Sequence, residues 1–517
     1  MRVIIAVLGA ILAFTPLCVR ADDLQVTVAS GALSGFASRD GLVRSFKGVP
    51  YAAAPVGALR WRPPQPVAAW QGTREANRFA PICPQPTPMP GAFYQREFFQ
   101  SAEPQSEDCL YLNVWTATPS GTDPRPVMVF FHSGGNALWS GSMPVFDGTS
   151  LARKGAVVVT LNYRLGALGF FAHPELDAES PNHVSGNYGL LDQQAALRWV
   201  KTNIAAFGGD PERVTIFGQS AGGQDTGYAI ASPLAKGLFR RAIVESGGVF
   251  FRASTLASAE DGGKKMVADL GAPSVAALRD MPAAEIVARV GRKFGTYVIE
   301  PVLDGWVLPR DTPEAIAAGQ LNAAELLIGS TANEGSQLMA PTTPDGLNAM
   351  IKRRFTTQAD PIAALYTGTD AETATAAQDQ YMSDFKAAMD RLTAGLFVRQ
   401  GHPAWVYSFD RAAPGSDPVK VGAFHCGELA YVFGTQNTID RPWEDTDRTL
   451  AGEMSSYWVR FAATGNPNGP GLPDWPAYDE KSRYVKDFGA RVSTGPSPKA
   501  APLFEAYLGA RLRPATP

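Results

Sequence analysis

The sequence has no basic run, no long acidic tail, no low-complexity block and no internal repeat. Nothing in it therefore points to nucleic acid, to a disordered interaction tail or to a solenoid. Beyond residue 21 no apolar run approaches the length of a membrane span. No long Pro/Ser/Gly linker divides the chain, so one enlarged domain over 22–517 is expected, although length alone suggests about three. Histidine is scarce, with five in 517 residues, and cysteine scarcer, with four. What remains is a chain that is 45% hydrophobic and 18% charged with net charge −3, a composition able to bury a large core.

The amino terminus has its own character. One arginine precedes an apolar run from Val3 to Leu17, and small residues flank Arg20. Met1 to Ala21 reads as a cleaved export signal, too short for a comfortable membrane anchor. Thr15-Pro16-Leu17 is a poor lipobox for Cys18. The mature chain is expected to start at Asp22 and to be secreted or periplasmic. Cys83, Cys109 and Cys426 then remain, and one pair plus one leftover is the simplest arithmetic. Cys83 and Cys109 enclose a Pro-rich, aromatic-containing loop that a disulfide would stabilise, with three free thiols as the alternative.

Leu24–Phe36 and Leu42–Gly48 alternate apolar and polar residues like an N-terminal antiparallel hairpin, and Leu110–Thr116 adds a strand. Val127–Phe131 and Ala156–Leu161 are continuous apolar β-rich runs, as strands covered on both faces require. Tyr188–Ala206 has helical spacing and is stopped by Phe207-Gly208-Gly209-Asp210-Pro211. Further strand candidates are Arg241–Glu245, Leu326–Gly329 and Trp405–Phe409; Thr342–Val398 is Ala-rich and helix-leaning. This alternation predicts an α/β domain with a mainly parallel central sheet, N-terminal antiparallel strands and helical insertions.

One stretch organises the chemistry. Val214-Thr215-Ile216-Phe217 suits a buried strand, Ala221–Ala231 suits a helix, and between them stands Gly218-Gln219-Ser220-Ala221-Gly222. The G-x-S-x-G pentapeptide alone is weak, and a glycine-rich loop with a buried serine would read the same. In a strand–turn–helix setting it is a nucleophile elbow, a tight turn that lifts a serine hydroxyl clear of the sheet. A serine needs a base. In the order Ser, acid, His of α/β-hydrolases only His402 and His425 lie downstream of Ser220, and reactive residues gather at the carboxyl ends of such strands. His402 precedes the strand Trp405–Phe409 and reads as a loop residue; His425 follows it and is the expected base. Glu334, in the loop after Leu326–Gly329, fits the orienting acid, with Asp304 and Asp384 as rivals. Phe130-Phe131-His132-Ser133-Gly134-Gly135-Asn136 places glycines directly after a buried strand. The N–H groups of Gly134, Gly135 and Ala221 are the expected oxyanion donors.

Together these stretches resemble the type-B carboxylesterase and cholinesterase family of α/β-hydrolases. The resemblance runs from Phe46-Lys47-Gly48-Val49-Pro50-Tyr51-Ala52 and Leu59-Arg60-Trp61-Arg62-Pro63-Pro64 through Ser106–Trp115, Asn162-Tyr163-Arg164 and the elbow. It continues with Asn333-Glu334-Gly335, Gly422-Ala423-Phe424-His425, Gly465–Asn468 and Leu472–Pro476. It implies a Ser-Glu-His triad of Ser220, Glu334 and His425, and hydrolysis of small-molecule esters without metal or organic cofactor. It also implies a Cys83–Cys109 disulfide, ion pairs of Arg60 with Glu107 and Arg164 with Asp384, and a supporting role for Ser246. Gln219 stands where many members carry glutamate, Ser133 replaces the first glycine of the usual H-G-G-G run, and Asn136 takes a place commonly aromatic. No tryptophan lies between Cys83 and Cys109 to stack on a choline, which argues against a cationic choline ester. Phe93, Tyr94, Phe98, Phe99 and Trp139 are candidates to line an apolar acyl pocket, a structural role being the alternative for each.

Overall fold

The computed structural model describes residues 24–87, 91–98, 102–117, 123–291, 295–355, 358–417, 420–489 and 499–512. The expected export signal at residues 1–21 and the pocket candidate Phe99 lie outside them. The main sheet is formed in chain order by β1 (Phe36–Ala37), β2 (Val43–Pro50), β3 (Tyr111–Ala117), β4 (Arg125–Phe131) and β5 (Val157–Leu161), then β6 (Gly209–Gln219), β7 (Arg241–Glu245), β8 (Glu325–Thr331), β9 (Ala404–Phe409) and β10 (Lys486–Phe488). Across the sheet their order is β10-β9-β8-β7-β6-β4-β5-β3-β2-β1. From β10 to β5 every neighbouring pair is parallel; from β5 to β1 every pair is antiparallel. This is the expected mainly parallel α/β sheet with N-terminal antiparallel strands.

Parallel strands need covering on both faces, and the pleat sorts alternate residues accordingly. Val127, Val129, Val214, Ile216, Val244 and Ile328 point into one apolar core, with the helices α1 (Tyr188–Asn203), α2 (Ala221–Ala231) and α3 (Ala371–Arg399) supplying Leu197, Ile230 and Phe385. Met128, Phe130, Phe217, Ile243 and Leu327 point into the other, where α4 (Asp445–Thr464) contributes Met454, Trp458 and Phe461. The edge strand β10 was not anticipated, because three residues carry no periodicity of their own.

The amino-terminal expectation needs correction. Leu24–Phe36 is not one arm of a hairpin: it turns at Ala29-Ser30, and Gln25–Val28 pairs antiparallel with Gly31–Ser34 in a separate small sheet that Thr73–Glu75 joins. Val43–Pro50 pairs with Phe36–Ala37 and Tyr111–Ala117 instead. The Ala29-Ser30 turn is short enough to pass for an irregularity within one strand.

The Cys83–Cys109 disulfide is present, and Arg60 beside it grips Glu107 through Nε and Nη2 at 2.7 and 2.6 Å. Arg60 Nη1 also donates to the carbonyls of Leu278 and Met281, so the disulfide loop is fastened to a distant helical segment. Arg164 does not pair with Asp384. Its fork meets Asp192 on α1 at 2.8 and 2.7 Å, while Asp384 on α3 accepts from Tyr366 and Gln380. Among the described residues no helix is long and apolar enough to cross a membrane.

The disulfide closes a 26-residue separation, for which loop entropy gives about 3.5 kcal/mol. The Cys83→Ser, Cys109→Ser double variant is expected to unfold at lower urea than the parent under identical conditions. Coincident urea transitions would contradict that contribution.

Candidate active site

Ser220 sits at the junction of β6 and α2 with φ 57° and ψ −120°, a conformation that a side-chain-bearing residue adopts only when its surroundings impose it. Two close approaches impose it here. A Cβ on Gly222 would lie 1.9 Å from the Phe131 carbonyl oxygen, and one on Gly218 would lie 2.3 Å from the Gly222 carbonyl oxygen. The Ser220 N–H donates to the Glu245 carbonyl at 2.9 Å, pinning the turn to the end of β7. Ser220 itself is half-buried.

The loops after β8 and β9 come together beside this turn. Asn333 and Phe424 form an isolated parallel bridge, with the Asn333 N–H donating to Ala423 at 3.1 Å. Each of these residues directly precedes a predicted site residue, so the bridge lays Glu334 against His425, whose Nδ1 is 2.6 Å from Glu334 Oε2. Glu334 Oε1 accepts from the Thr331 N–H at 2.8 Å, from the Thr331 hydroxyl at 3.1 Å and from the Ser246 hydroxyl. The glutamate is fully buried, at 0% exposure. Burial opposes its charge, but the attraction of His425, the hydrogen bond from that ring, the Lys386 ammonium and the Ser246 hydroxyl outweigh it and hold the carboxyl at about 2. An ionised carboxylate only accepts, so the proton of a neutral His425 stands on Nδ1 and leaves Nε2 with a lone pair. That Nε2 is buried and has no hydrogen-bond partner.

The rival acids are occupied elsewhere. Asp304 accepts from Asn187, Trp306 N–H and Leu308 N–H, and Asp384 lies in the α3 pairing described above. His402 is half-buried with Nδ1 3.1 Å from the Ala324 carbonyl. His132 is close in sequence to the glycine loop, but burial pulls its imidazole down to about 4 and it lies stacked on Tyr163, 4.4 Å between centroids.

After β4 the chain turns through Gly134 at φ 106° and Gly135 at φ 66°. Ala137 and Leu138 donate back to the Gly134 carbonyl, whereas the N–H groups of Gly134, Gly135 and Ala221 take part in none of the backbone hydrogen bonds that hold this loop and helix. Ala221 opens α2, where the helix dipole favours negative charge. Tyr163 donates to His132 O and Asn136 Oδ1, and Asn136 donates to Asp225, which Gln193 also holds. This support of the loop was not legible in sequence, because its members come from four segments.

Two further groups were missed. Lys386, only 5% exposed, donates to the Ser246 carbonyl and brings a cation into the neighbourhood of Glu334. Glu428 is fully buried; burial, then the charges of Glu245 and Glu334, push its carboxyl well above the usual range against its own backbone N–H and Gln219. Phe93, Tyr94, Phe98 and Trp139 form one aromatic cluster with Phe424, the Phe93–Phe424 centroids 4.9 Å apart and Phe98–Trp139 5.4 Å. It joins the disulfide loop, the glycine loop and the residue before His425.

A serine on a strained turn, an imidazole with a free Nε2 backed by an ionised carboxylate, and uncommitted N–H groups are the parts that acyl transfer uses. Comparison with known proteins agrees. The model of the carboxylesterase family matches residues 22–501. The chain is 38% identical over 502 residues to fumonisin B1 esterase of Sphingopyxis macrogoltabida, covering 93% of this chain and 89% of that one. It is 36% identical over 499 residues to para-nitrobenzyl esterase of Bacillus subtilis (strain 168), covering 92% and 96%. A solved PNB esterase structure superposes with TM-score 0.80 at 33% identity, over 94% of this chain and all of that one.

The Glu334 carboxyl carries a stability consequence with a definite sign. Its folded value of about 2 lies below an ordinary 4.5, so its contribution is complete above pH 4.5 and is lost as pH falls toward 2. The stability difference between parent and Glu334→Gln in urea is expected to shrink by up to about 3 kcal/mol as pH falls from 4.5 toward 2. A pH-independent difference would contradict an ionised, stabilised carboxylate.

Proposed function

The chain belongs to the carboxylesterase family and is a carboxylic-ester hydrolase of α/β-hydrolase fold, and from that premise we propose a two-step reaction through Ser220, Glu334 and His425. His425 Nε2 takes the Ser220 proton as the hydroxyl oxygen attacks the ester carbonyl. The tetrahedral oxyanion is held by the N–H groups of Gly134, Gly135 and Ala221. His425 returns the proton to the leaving alcohol, and water repeats the sequence on the acyl-serine. Glu334 keeps the Nδ1–H tautomer and steadies the imidazolium. The observation that carries this reading is the Glu334–His425 contact of 2.6 Å, made by a carboxylate with no exposure to solvent.

Small-molecule esters are the substrates expected of this family. The cluster of Phe93, Tyr94, Phe98, Trp139 and Phe424 favours esters with a bulky apolar or aromatic group over a cationic choline. Fumonisin B1 and para-nitrobenzyl esters, named for the relatives, are the first candidates. We also propose that residues 22–517 act as a single catalytic domain and that residues 1–21 direct export. Two observations support export: the family match opens at residue 22, and the Cys83–Cys109 disulfide suits an oxidising compartment.

Purified parent is expected to release nitrophenol from short-chain p-nitrophenyl esters, and Ser220→Ala to lose at least about 10³-fold in kcat/KM. Equal turnover by the two proteins would remove Ser220 as nucleophile.

A further inference from the structure

Three buried side chains that the proposed reaction does not use meet at one atom. The carboxamide oxygen of Gln219 accepts from the Ser133 hydroxyl at 2.5 Å and from the Cys426 thiol at 3.0 Å. Gln219 and Ser133 are 0% exposed and Cys426 is 3% exposed. Each is the chain neighbour of a group the reaction needs: Gln219 precedes Ser220, Ser133 precedes Gly134, and Cys426 follows His425. We propose that Gln219 is a positioning residue whose single carbonyl oxygen sets the nucleophile, the oxyanion donors and the base in register with one another. The proposal rests on the triad reading above and deepens it.

The three segments are otherwise anchored outward. The elbow hangs from Glu245 through the Ser220 N–H, the glycine loop from Tyr163 and Asp225, and the histidine loop from Asn333. A shared acceptor adds the inward tie, and an amide oxygen with two lone pairs is saturated by two donors. Cys426 can serve as one of them, because burial, then the charges of Glu428 and Glu334, push its thiol well up and keep it protonated. An amide also suits the place better than a carboxylate. Glu245 is the register partner of Gln219 across β6 and β7, is itself fully buried, and is pushed by burial to about 8 against the hydrogen bond from Trp458. A third buried acid beside Glu245 and Glu428 would carry a large desolvation cost.

A double-mutant cycle on p-nitrophenyl acetate hydrolysis tests this, with active sites counted from the nitrophenol burst. Gln219→Met is expected to lower kcat per active site by about tenfold or more with little change in KM. Ser133→Ala and Cys426→Ala are expected to lower kcat in the parent but not further in Gln219→Met. Gln219→Glu keeps an acceptor oxygen and is expected to retain more activity than Gln219→Met. A purely structural role would reduce the burst or the stability and leave kcat per site intact. Full kcat per site in Gln219→Met, or costs that multiply unchanged in its background, would overturn the proposal. Should Gln219→Met not fold, Cys426→Ser against Cys426→Ala decides: the serine restoring the donor and the rate supports the proposal, and equal impairment overturns it. Ser220→Ala run alongside separates the two claims, since an active Ser220→Ala removes the triad itself, whereas a multiplicative cycle on a chain whose Ser220→Ala is dead removes only the Gln219 junction.

Discussion

The site depends on a negative charge kept where water does not reach. Glu334 has lost its hydration, and the chain replaces it with the Thr331 N–H and hydroxyl, the Ser246 hydroxyl, the His425 ring and the nearby Lys386 ammonium. Such a group is stable only while all of these stay in place. Its partners come from the ends of β7 and β8, from the loop after β9 and from α3, so the electrostatic requirement of one carboxylate binds together much of the catalytic end of the sheet. The raised carboxyls of Glu245, Glu428 and Asp390 show what burial does to acids in the same region that lack such a set of partners.

The strain at Ser220 is met by the same logic in steric terms. The missing side chains of Gly218 and Gly222 let α2 approach the end of β4 closely enough for the Phe131 carbonyl to lie against the helix. That approach lays the start of α2 against the Phe131 and His132 carbonyls, at the point where the chain leaves β4 for the glycine turn. The aromatic cluster packs against Phe424, next to His425, with the disulfide loop supplying Phe93, Tyr94 and Phe98. Rigidity at the elbow is therefore a matter of backbone packing in the sheet, whereas the aromatic rings sit on loops.

Much of this was legible in sequence because the demands are local. The glycine spacing around Ser220, the apolar runs of β4 and β5 and the position of His425 after a strand each state a steric or topological need within a few residues. What was not legible depends on which distant segments meet. Arg164 chose Asp192 over Asp384 because α1 docks beside it, and no spacing along the chain reports that docking. The oxygen shared by Ser133 and Cys426 on Gln219, the burial of Lys386 and the Asn136–Asp225–Gln193 support all arise from three or more segments converging. The N-terminal hairpin failed differently, since the two-residue reversal at Ala29-Ser30 was hidden inside a stretch that alternates plausibly as one strand.

The Asn333–Phe424 bridge has one more implication. It joins residues 91 positions apart, and the elbow it serves lies more than a hundred residues earlier, on a strand in the middle of the sheet. Under the proposed roles, no fragment emerging during synthesis contains Ser220, Glu334 and His425 together until residue 425 has been made. On that reading ester cleavage waits for a late part of the chain, and of the strands in the main sheet only β10 is made after it.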